Sequence, residues 1–304
     1  MDRERLTITL RKSLLGKVDE LIDGTNIRNR SHAIETLISQ SLTPKINTAV
    51  ILAGGRGINM RPFTFEMPKG LFPVGGKPIL EHIIQLLTQN NIRNVIFSIG
   101  HLGEKIKEYF GNGQKFGVNI TYVRESESAG TGGALVLAEK FLHESTFLVI
   151  HGDILIDINL TDIFTYHREN DALATIAVTS VVDPSSFGEV ILHGNKITNF
   201  IEKPRYGTQK SQLISCGLYV FDRQIFNYLP KKGQAQLEDI FPRLAKTRVL
   251  SGFPFEGRFM DIGTPASYEK AIKIWAGFKK ESAVSAGSAR RRRRRSPQET
   301  SKVQ

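Results

Sequence analysis

The rhythm of apolar and polar positions changes several times along this chain. Over Arg5-Leu6-Thr7-Ile8-Thr9-Leu10 the two kinds alternate, which predicts a half-buried strand with Leu6, Ile8 and Leu10 on one face and Arg5, Thr7 and Thr9 on the other. Leu14, Leu15, Val18, Leu21 and Ile22 then recur at helical spacing. A turn is expected at Gly24-Thr25-Asn26, and Ser31 is the expected N-cap of a second helix carrying Ile34, Leu37, Ile38 and Leu42. Pro44 closes this segment. From residue 46 the apolar runs 47–53, 94–99, 118–123 and 146–151 read as strands, with helical patterns between them at 79–90, 102–110 and 131–142. Such alternation predicts a parallel, doubly wound sheet. The second half is richer in strands. One covers 172–182, a hairpin of Gly188–Leu192 and Ile197–Ile201 turns at Gly194-Asn195, and another covers Ile214–Phe221. The expected class is therefore α/β with a mixed sheet. Thr264-Pro265 starts a last helix that reaches Trp275.

With 304 residues, 40% of them hydrophobic, the chain can bury one large core and a small second domain. The first segment, 1–44, is too short to bury a core alone and needs a partner chain. The main domain is expected over 45–280. The formal charge of +11 is uneven: 1–43 hold seven Lys/Arg against six Asp/Glu, 44–275 hold 25 against 22, and 276–304 hold nine against two. Basic character thus sits mostly in the tail, 281–304, where Arg290 to Arg295 run unbroken. Six adjacent like charges repel, so disorder is expected there. The tail is either a solvated end or a source of non-specific nucleic-acid affinity through counterion release. Cys216 is the only cysteine, which excludes an intramolecular disulfide and a cysteine-rich metal site. No apolar run is long enough to span a membrane, and Met1-Asp2-Arg3-Glu4-Arg5 is unlike a signal peptide, so a cytoplasmic, non-membrane protein is expected.

Five motifs carry possible chemistry. After the first strand of the main domain comes Leu52-Ala53-Gly54-Gly55-Arg56-Gly57, and Pro68-Lys69 follow. Bare glycines let backbone N–H groups approach phosphate oxygens, and a lysine neutralises them; a hairpin turn is the plainer reading. Phe147 to Asp153 form a buried strand ending in a carboxylate, which suits either a divalent cation or a loop cap. Glu127-Ser128-Ala129-Gly130-Thr131-Gly132-Gly133 precede a helix, and small residues there permit either close approach of a base and sugar or tight packing. Glu202-Lys203-Pro204 end the hairpin; they are a surface ion pair or a grip on sugar hydroxyls and phosphate. Asp261-Ile262-Gly263-Thr264-Pro265 place a second aspartate before a helix start.

In this order the five motifs over 46–278 resemble the sugar-1-phosphate nucleotidyltransferases, in the short form without a C-terminal left-handed β-helix. The resemblance implies a Rossmann-like fold and a Mg²⁺-dependent reaction, NTP plus sugar 1-phosphate giving NDP-sugar and pyrophosphate. It implies that Ala53, Gly54, Gly55 and Gly57 line the nucleotide, with Glu127, Gly130 and Thr131 shaping the base and sugar pocket. It also implies that Lys69 neutralises phosphate, that Asp153 and Asp261 hold Mg²⁺, that Gly188 and Glu202 meet sugar hydroxyls, and that Lys203 meets the sugar phosphate. Residues 1–44 resemble ribbon-helix-helix DNA-binding domains, in which two chains pair their strands into a ribbon for the major groove. That likeness implies a homodimer or higher even oligomer, base contacts from Arg5, Thr7 and Thr9, and a phosphate held near Arg30 and Ser31.

Two departures stand out. The family loop carries an arginine that clamps the departing pyrophosphate, and Asn59 stands in its place. Ser215-Cys216-Gly217 stand where many relatives have Asn-Ala-Gly. Three functions remain open: an enzyme tied to DNA, a ribbon-helix-helix regulator whose second domain senses a nucleotide or sugar nucleotide, and a dimeric enzyme whose head is only a clip.

Overall fold

In strand β1 (Thr48–Ala53), Ala49 and Ile51 turn to one hydrophobic cluster and Val50 to the other, so both faces of the sheet are covered. A computed structural model describes residues 7–24, 27–42, 46–125, 129–231 and 233–275. The chain divides into two compact units, Met1–Lys45 and Ile46–Gln304.

In the larger unit, β1 is followed by a two-residue pair, β2 (Pro73–Val74) and β3 (Lys77–Pro78), and then by β4 (Asn94–Ile99), β5 (Asn119–Arg124) and β6 (Thr146–His151). The order β5-β4-β1-β6 is parallel throughout, as the alternating pattern predicts. A short strand β7 (Ile154–Ile156) comes next, and the second half adds β8 (Ala174–Ser180), β9 (Gly188–His193), β10 (Lys196–Glu202), β11 (Leu213–Asp222), β12 (Leu250–Pro254) and β13 (Phe259–Asp261). The nine-stranded sheet continues from β6 as β11-β8-β12-β10-β9, with β11 antiparallel to both neighbours. The sheet is therefore mixed. The strand expected at 172–182 is shorter than its apolar run, and the hairpin turns at Gly194-Asn195 as expected.

Among the helices of this unit, α3 (Ile79–Gln89), α4 (Gly103–Phe110), α6 (Leu160–Glu169) and α8 (265–275) pack on one face. Helices α5 (Gly130–Ala138) and α7 (Phe241–Lys246) pack on the other, which is the doubly wound arrangement. No helix among the described residues is long and apolar enough to cross a membrane.

The smaller unit has helices α1 (Lys12–Asp19) and α2 (Arg30–Leu42), at the expected places. One expectation is corrected. Asn29, not Ser31, caps α2: its Oδ1 accepts the His32 N–H at 2.9 Å, because the helix begins two residues earlier than the pattern suggested. Residues 7–10 carry no strand ladder within the single chain, and the pairing expected for them is with a second chain. Thr7, Thr9, Arg30 and Ser31 are all exposed, and the Arg30 guanidinium forks onto the Asp19 carboxylate at 2.6 and 2.8 Å. Arg5, Glu127 and the Arg290–Arg295 run lie outside the described residues.

Candidate active site

Strands β1 and β6 are parallel neighbours, so their carboxyl ends open at the same edge of the sheet, where ligands of such folds bind. After β1 the chain enters the glycine loop. After β6 it turns through Gly152, whose N–H donates to the Leu52 carbonyl at 2.8 Å, and reaches Asp153. Gly57 sits at φ 60°, and a Cβ there would stand 2.7 Å from Thr64 Cγ2 and 3.0 Å from Lys69 Cγ. Only glycine accepts that backbone without strain and leaves Lys69 its place. Strand β13 lies antiparallel to β7 with Asp261 opposite Ile154, and the Ile262 N–H donates to the Asp153 carbonyl at 2.9 Å. This small pairing delivers the second aspartate close to the first.

Lys69 Nζ pairs with Asp153 Oδ2, and the two side chains are only 20% and 25% exposed. Desolvation pulls the Lys69 ammonium down, but the Asp153 charge outweighs it and holds the lysine above its ordinary range. Burial pushes Asp153 up, yet Lys69 and then His151 hold its carboxyl below the usual carboxylate range. Asp261 has the opposite fate: burial and then the Asp153 charge push it up to about 6. Two carboxylates of which one resists ionising are a set that a hard divalent cation relieves. Among the described residues no cluster of three or more His, Cys, Asp or Glu could hold a metal alone. A cation here would complete its shell with substrate phosphates and water, the way Mg²⁺ is commonly bound.

Two cavities meet at this cluster. The first, about 270 Å³, is lined by Ala53, Gly54, Gly55, Gly57, Lys69, Gly130, Thr131 and Asp153, all residues that the sequence singled out. The second, about 470 Å³, is lined by Gly188, Glu202, Lys203 and Asp261, together with Ser215, Cys216 and Gly217. Thr131, His151 and Gln236 line both. Gly188 pairs with Glu202 across the hairpin. Burial and then the charge of Glu238 push Glu202 up, while Lys203 Nζ lies 3.4 Å from it. Lys203 itself adopts a left-handed backbone, φ 45°, with its N–H donating to the Phe187 carbonyl at 3.0 Å. Burial pushes the Cys216 thiol up, so it is an inert wall of the second cavity.

Asn59 lies exposed in a single turn of 3₁₀ helix, Ile58–Met60, and does not line the first cavity. Neither nearby arginine lines it either: Arg56 is exposed, and Arg61 stacks on the Phe65 ring at 5.0 Å.

Glu125, His151, Gln236 and Glu238 are among the lining residues that sequence reasoning missed. Glu125 follows β5 and accepts from Ser98 Oγ at 3.0 Å and from the Ala129 N–H at 3.2 Å; its place after a strand end is the signal that also marked Asp153. His151 precedes Gly152-Asp153 and reads as part of the strand. Gln236 and Glu238 belong to a loop that folds back onto α5. Thr131 donates its hydroxyl to Glu238 Oε2 at 2.9 Å and accepts the Leu237 N–H at 2.8 Å. Gln236 Oε1 accepts the Thr131 N–H at 3.2 Å, and the Ala235 carbonyl accepts those of Gly132 and Gly133. The start of α5 is therefore satisfied by protein, and Thr131 shapes the wall through its loop contacts.

Residues 48–276 match the family model described as Nucleotidyl transferase. The chain is 36% identical over 245 residues to UTP–glucose-1-phosphate uridylyltransferase of Synechocystis sp., covering 74% of this chain and 62% of that protein. It is 32% identical over 228 residues to a mannose-1-phosphate guanyltransferase of Yarrowia lipolytica, covering 72% and 61%. A Bacillus anthracis structure assigned as a glucose-1-phosphate thymidylyltransferase, in complex with a sucrose, superposes with a TM-score of 0.70 at 30% identity and covers 75% of this chain and 95% of its own. The chain thus spans about three fifths of the length of the curated relatives it matches. Its matched span, its strand order and the motifs gathered at one sheet edge make it a member of the nucleotidyl transferase family.

Proposed function

We propose that this protein is a Mg²⁺-dependent sugar-1-phosphate nucleotidyltransferase carrying a dimerising, DNA-binding head. The observation that carries the reading is the Lys69–Asp153–Asp261 cluster at the meeting point of a glycine-walled cavity and a second cavity with the hydroxyl acceptor Glu202. An NTP lies along Ala53, Gly54, Gly55 and Gly57, and a sugar 1-phosphate along Gly188, Glu202 and Lys203. An oxygen of the sugar phosphate attacks the α-phosphorus in line; the new O–P bond forms as the bond to the β-phosphate breaks, and pyrophosphate leaves. Catalysis of this kind is mainly positioning and charge neutralisation. Lys69 neutralises phosphate charge and Lys203 orients the attacking group. Asp153 and Asp261 would hold Mg²⁺, which when bound neutralises charge between phosphates. In this account the protein works in the cytoplasm.

A second reading, a sensor that binds sugar nucleotide without making it quickly, is favoured by Asn59: among the described residues no arginine lines the first cavity. Catalytic arginines in related transfers contribute roughly 10³–10⁵ in rate. Pyrophosphate release with Mg²⁺ across a panel of NTPs and sugar 1-phosphates, wild type beside Asn59→Arg, separates the two. Turnover by wild type supports the enzyme, whereas turnover by Asn59→Arg alone supports the sensor.

The head rests on its apolar surface. Its helices bury Val18 and Ala33 but leave Ile8, Leu14, Leu21, Leu37 and Ile38 between 37% and 47% exposed, a face suited to a second copy. Light scattering should report at least a dimer at micromolar concentration, and a monomer would refute the head. Thr7→Ala with Thr9→Ala should preserve the dimer while weakening sequence-selected duplexes about tenfold or more, from contacts of about 1–3 kcal/mol each. Equal binding by wild type and variant to duplexes selected from a random pool would remove the ribbon.

A further inference from the structure

His151 is the last residue of β6 and one of the three side chains that line both cavities. Its place is built by β11. Gly217 adopts φ 69°, and a Cβ there would lie 2.9 Å from His151 Nδ1 and 3.0 Å from Cγ. The register of β11 against β8 shifts between Ser215 and Tyr219, around this glycine. On its other side the imidazole meets the Tyr219 ring at 5.5 Å and 68°, edge to face. So a bulged strand with a bare glycine leaves space for one imidazole, and a buried aromatic ring fixes its tilt.

Among the described residues nothing satisfies the far end of that ring. His151 Nε2 is buried and has no hydrogen-bond partner among the described residues. Leaving a buried polar nitrogen unsatisfied is costly, and a fold that builds a seat for it needs a reason. The ring stands between two cavities, the first lined by Asp153 and the second by Asp261 and Glu202. A phosphate arriving among three carboxylates needs donors. Lys69 is engaged with Asp153, and Lys203 is 68% exposed at the outer side of its pair with Glu202. The unpartnered imidazole nitrogen adds a buried donor to these two ammonium groups at the junction.

Resting on the nucleotidyltransferase reading, the geometry points to His151 as a substrate-binding residue: its Nε2 donates to an oxygen of the phosphate that joins the sugar to the nucleotide, at the junction of the two cavities. It tells an NDP-sugar or sugar 1-phosphate from a free NTP, because only the former places a phosphate oxygen on the sugar side of that junction.

Isothermal titration of the full-length protein with Mg²⁺ tests this, using UDP-glucose and GDP-mannose as NDP-sugars and UTP and GTP as their parents. His151→Phe keeps a flat ring against Gly217 and Tyr219 but has no donor. His151→Gln restores an amide N–H at similar reach. The expected result is that Phe weakens the NDP-sugar about tenfold or more, as fits loss of a hydrogen bond to a charged group, and changes NTP affinity less than twofold. Gln should return the NDP-sugar to within about threefold of wild type. Unchanged NDP-sugar affinity in His151→Phe, an equal loss for NDP-sugar and NTP, or no recovery in Gln overturns the inference alone. If wild type binds no NDP-sugar, the nucleotidyltransferase reading falls and this inference falls with it. Thermal unfolding of each variant separates loss of the contact from loss of the fold.

Discussion

Lys69→Ala should lower kcat about 10³-fold and raise the KM for the NTP by a smaller factor. The lysine faces two tasks at once. It stands beside the glycine loop, where phosphate charge accumulates in the transition state, and pre-organised charge there is worth about 10²–10³ in rate. It also compensates Asp153, whose carboxyl stays below the usual range because Lys69 and then His151 outweigh burial. Removing Lys69 therefore lets Asp153 rise, which weakens cation binding as well. Lys69→Arg should recover little, since a forked guanidinium does not fit the point contact that Gly57 leaves open. Steady-state pyrophosphate release checks this. A Lys69→Ala protein within tenfold of wild-type kcat would take the lysine out of the chemistry.

Asp261→Asn should abolish turnover and yet stabilise the protein free of cation. Burial and the Asp153 charge push the Asp261 carboxyl up to about 6, from an ordinary value of 3.8. Its proton is therefore held more tightly in the folded chain than in the unfolded one. The folded state gains relative stability as pH falls from 6 towards 3.8 and carries the full cost above pH 6. A shift of this size corresponds to roughly 1–3 kcal/mol, since a single unit is about 1.4 kcal/mol. Above pH 7, without divalent cation, Asp261→Asn should melt several degrees higher than wild type, and the gap should shrink as pH falls below 6 and close near pH 4. With Mg²⁺ added, wild type should gain stability that the variant does not. A variant less stable than wild type at neutral pH would mean that the two carboxylates do not oppose each other.

Most of the main domain was legible because its signals are contiguous. The strand runs before Gly54 and before Gly152 each end where a motif begins, so one short window fixes both the element and the residue at its tip. The antiparallel second half was read only as more strands, because their order depends on pairings between distant segments. The β7–β13 pair is three residues long on each side, below what a period-two pattern can reveal, yet it sets Asp261 beside Asp153. Gln236 and Glu238 were invisible for the same reason, since they meet Thr131 from 105 and 107 positions away. At the head, Asn29 and Ser31 are both good caps, and only the Asn29 hydrogen bond to His32 decides between them. A strand over 5–10 would find its pairing partner only in a second chain, so one chain by itself cannot display it.

The most direct measurement is ³¹P NMR of the reverse reaction, following UDP-glucose, dTDP-glucose and GDP-mannose with pyrophosphate and Mg²⁺ beside an Asp153→Asn control. The account predicts that wild type converts at least one of them into its NTP and sugar 1-phosphate, with new γ-phosphate and sugar-phosphate resonances, and that the control leaves all three intact. Intact NDP-sugars with wild type at high enzyme concentration, in all three cases, would contradict the claim that these two cavities and their lysine–aspartate cluster carry out nucleotidyl transfer.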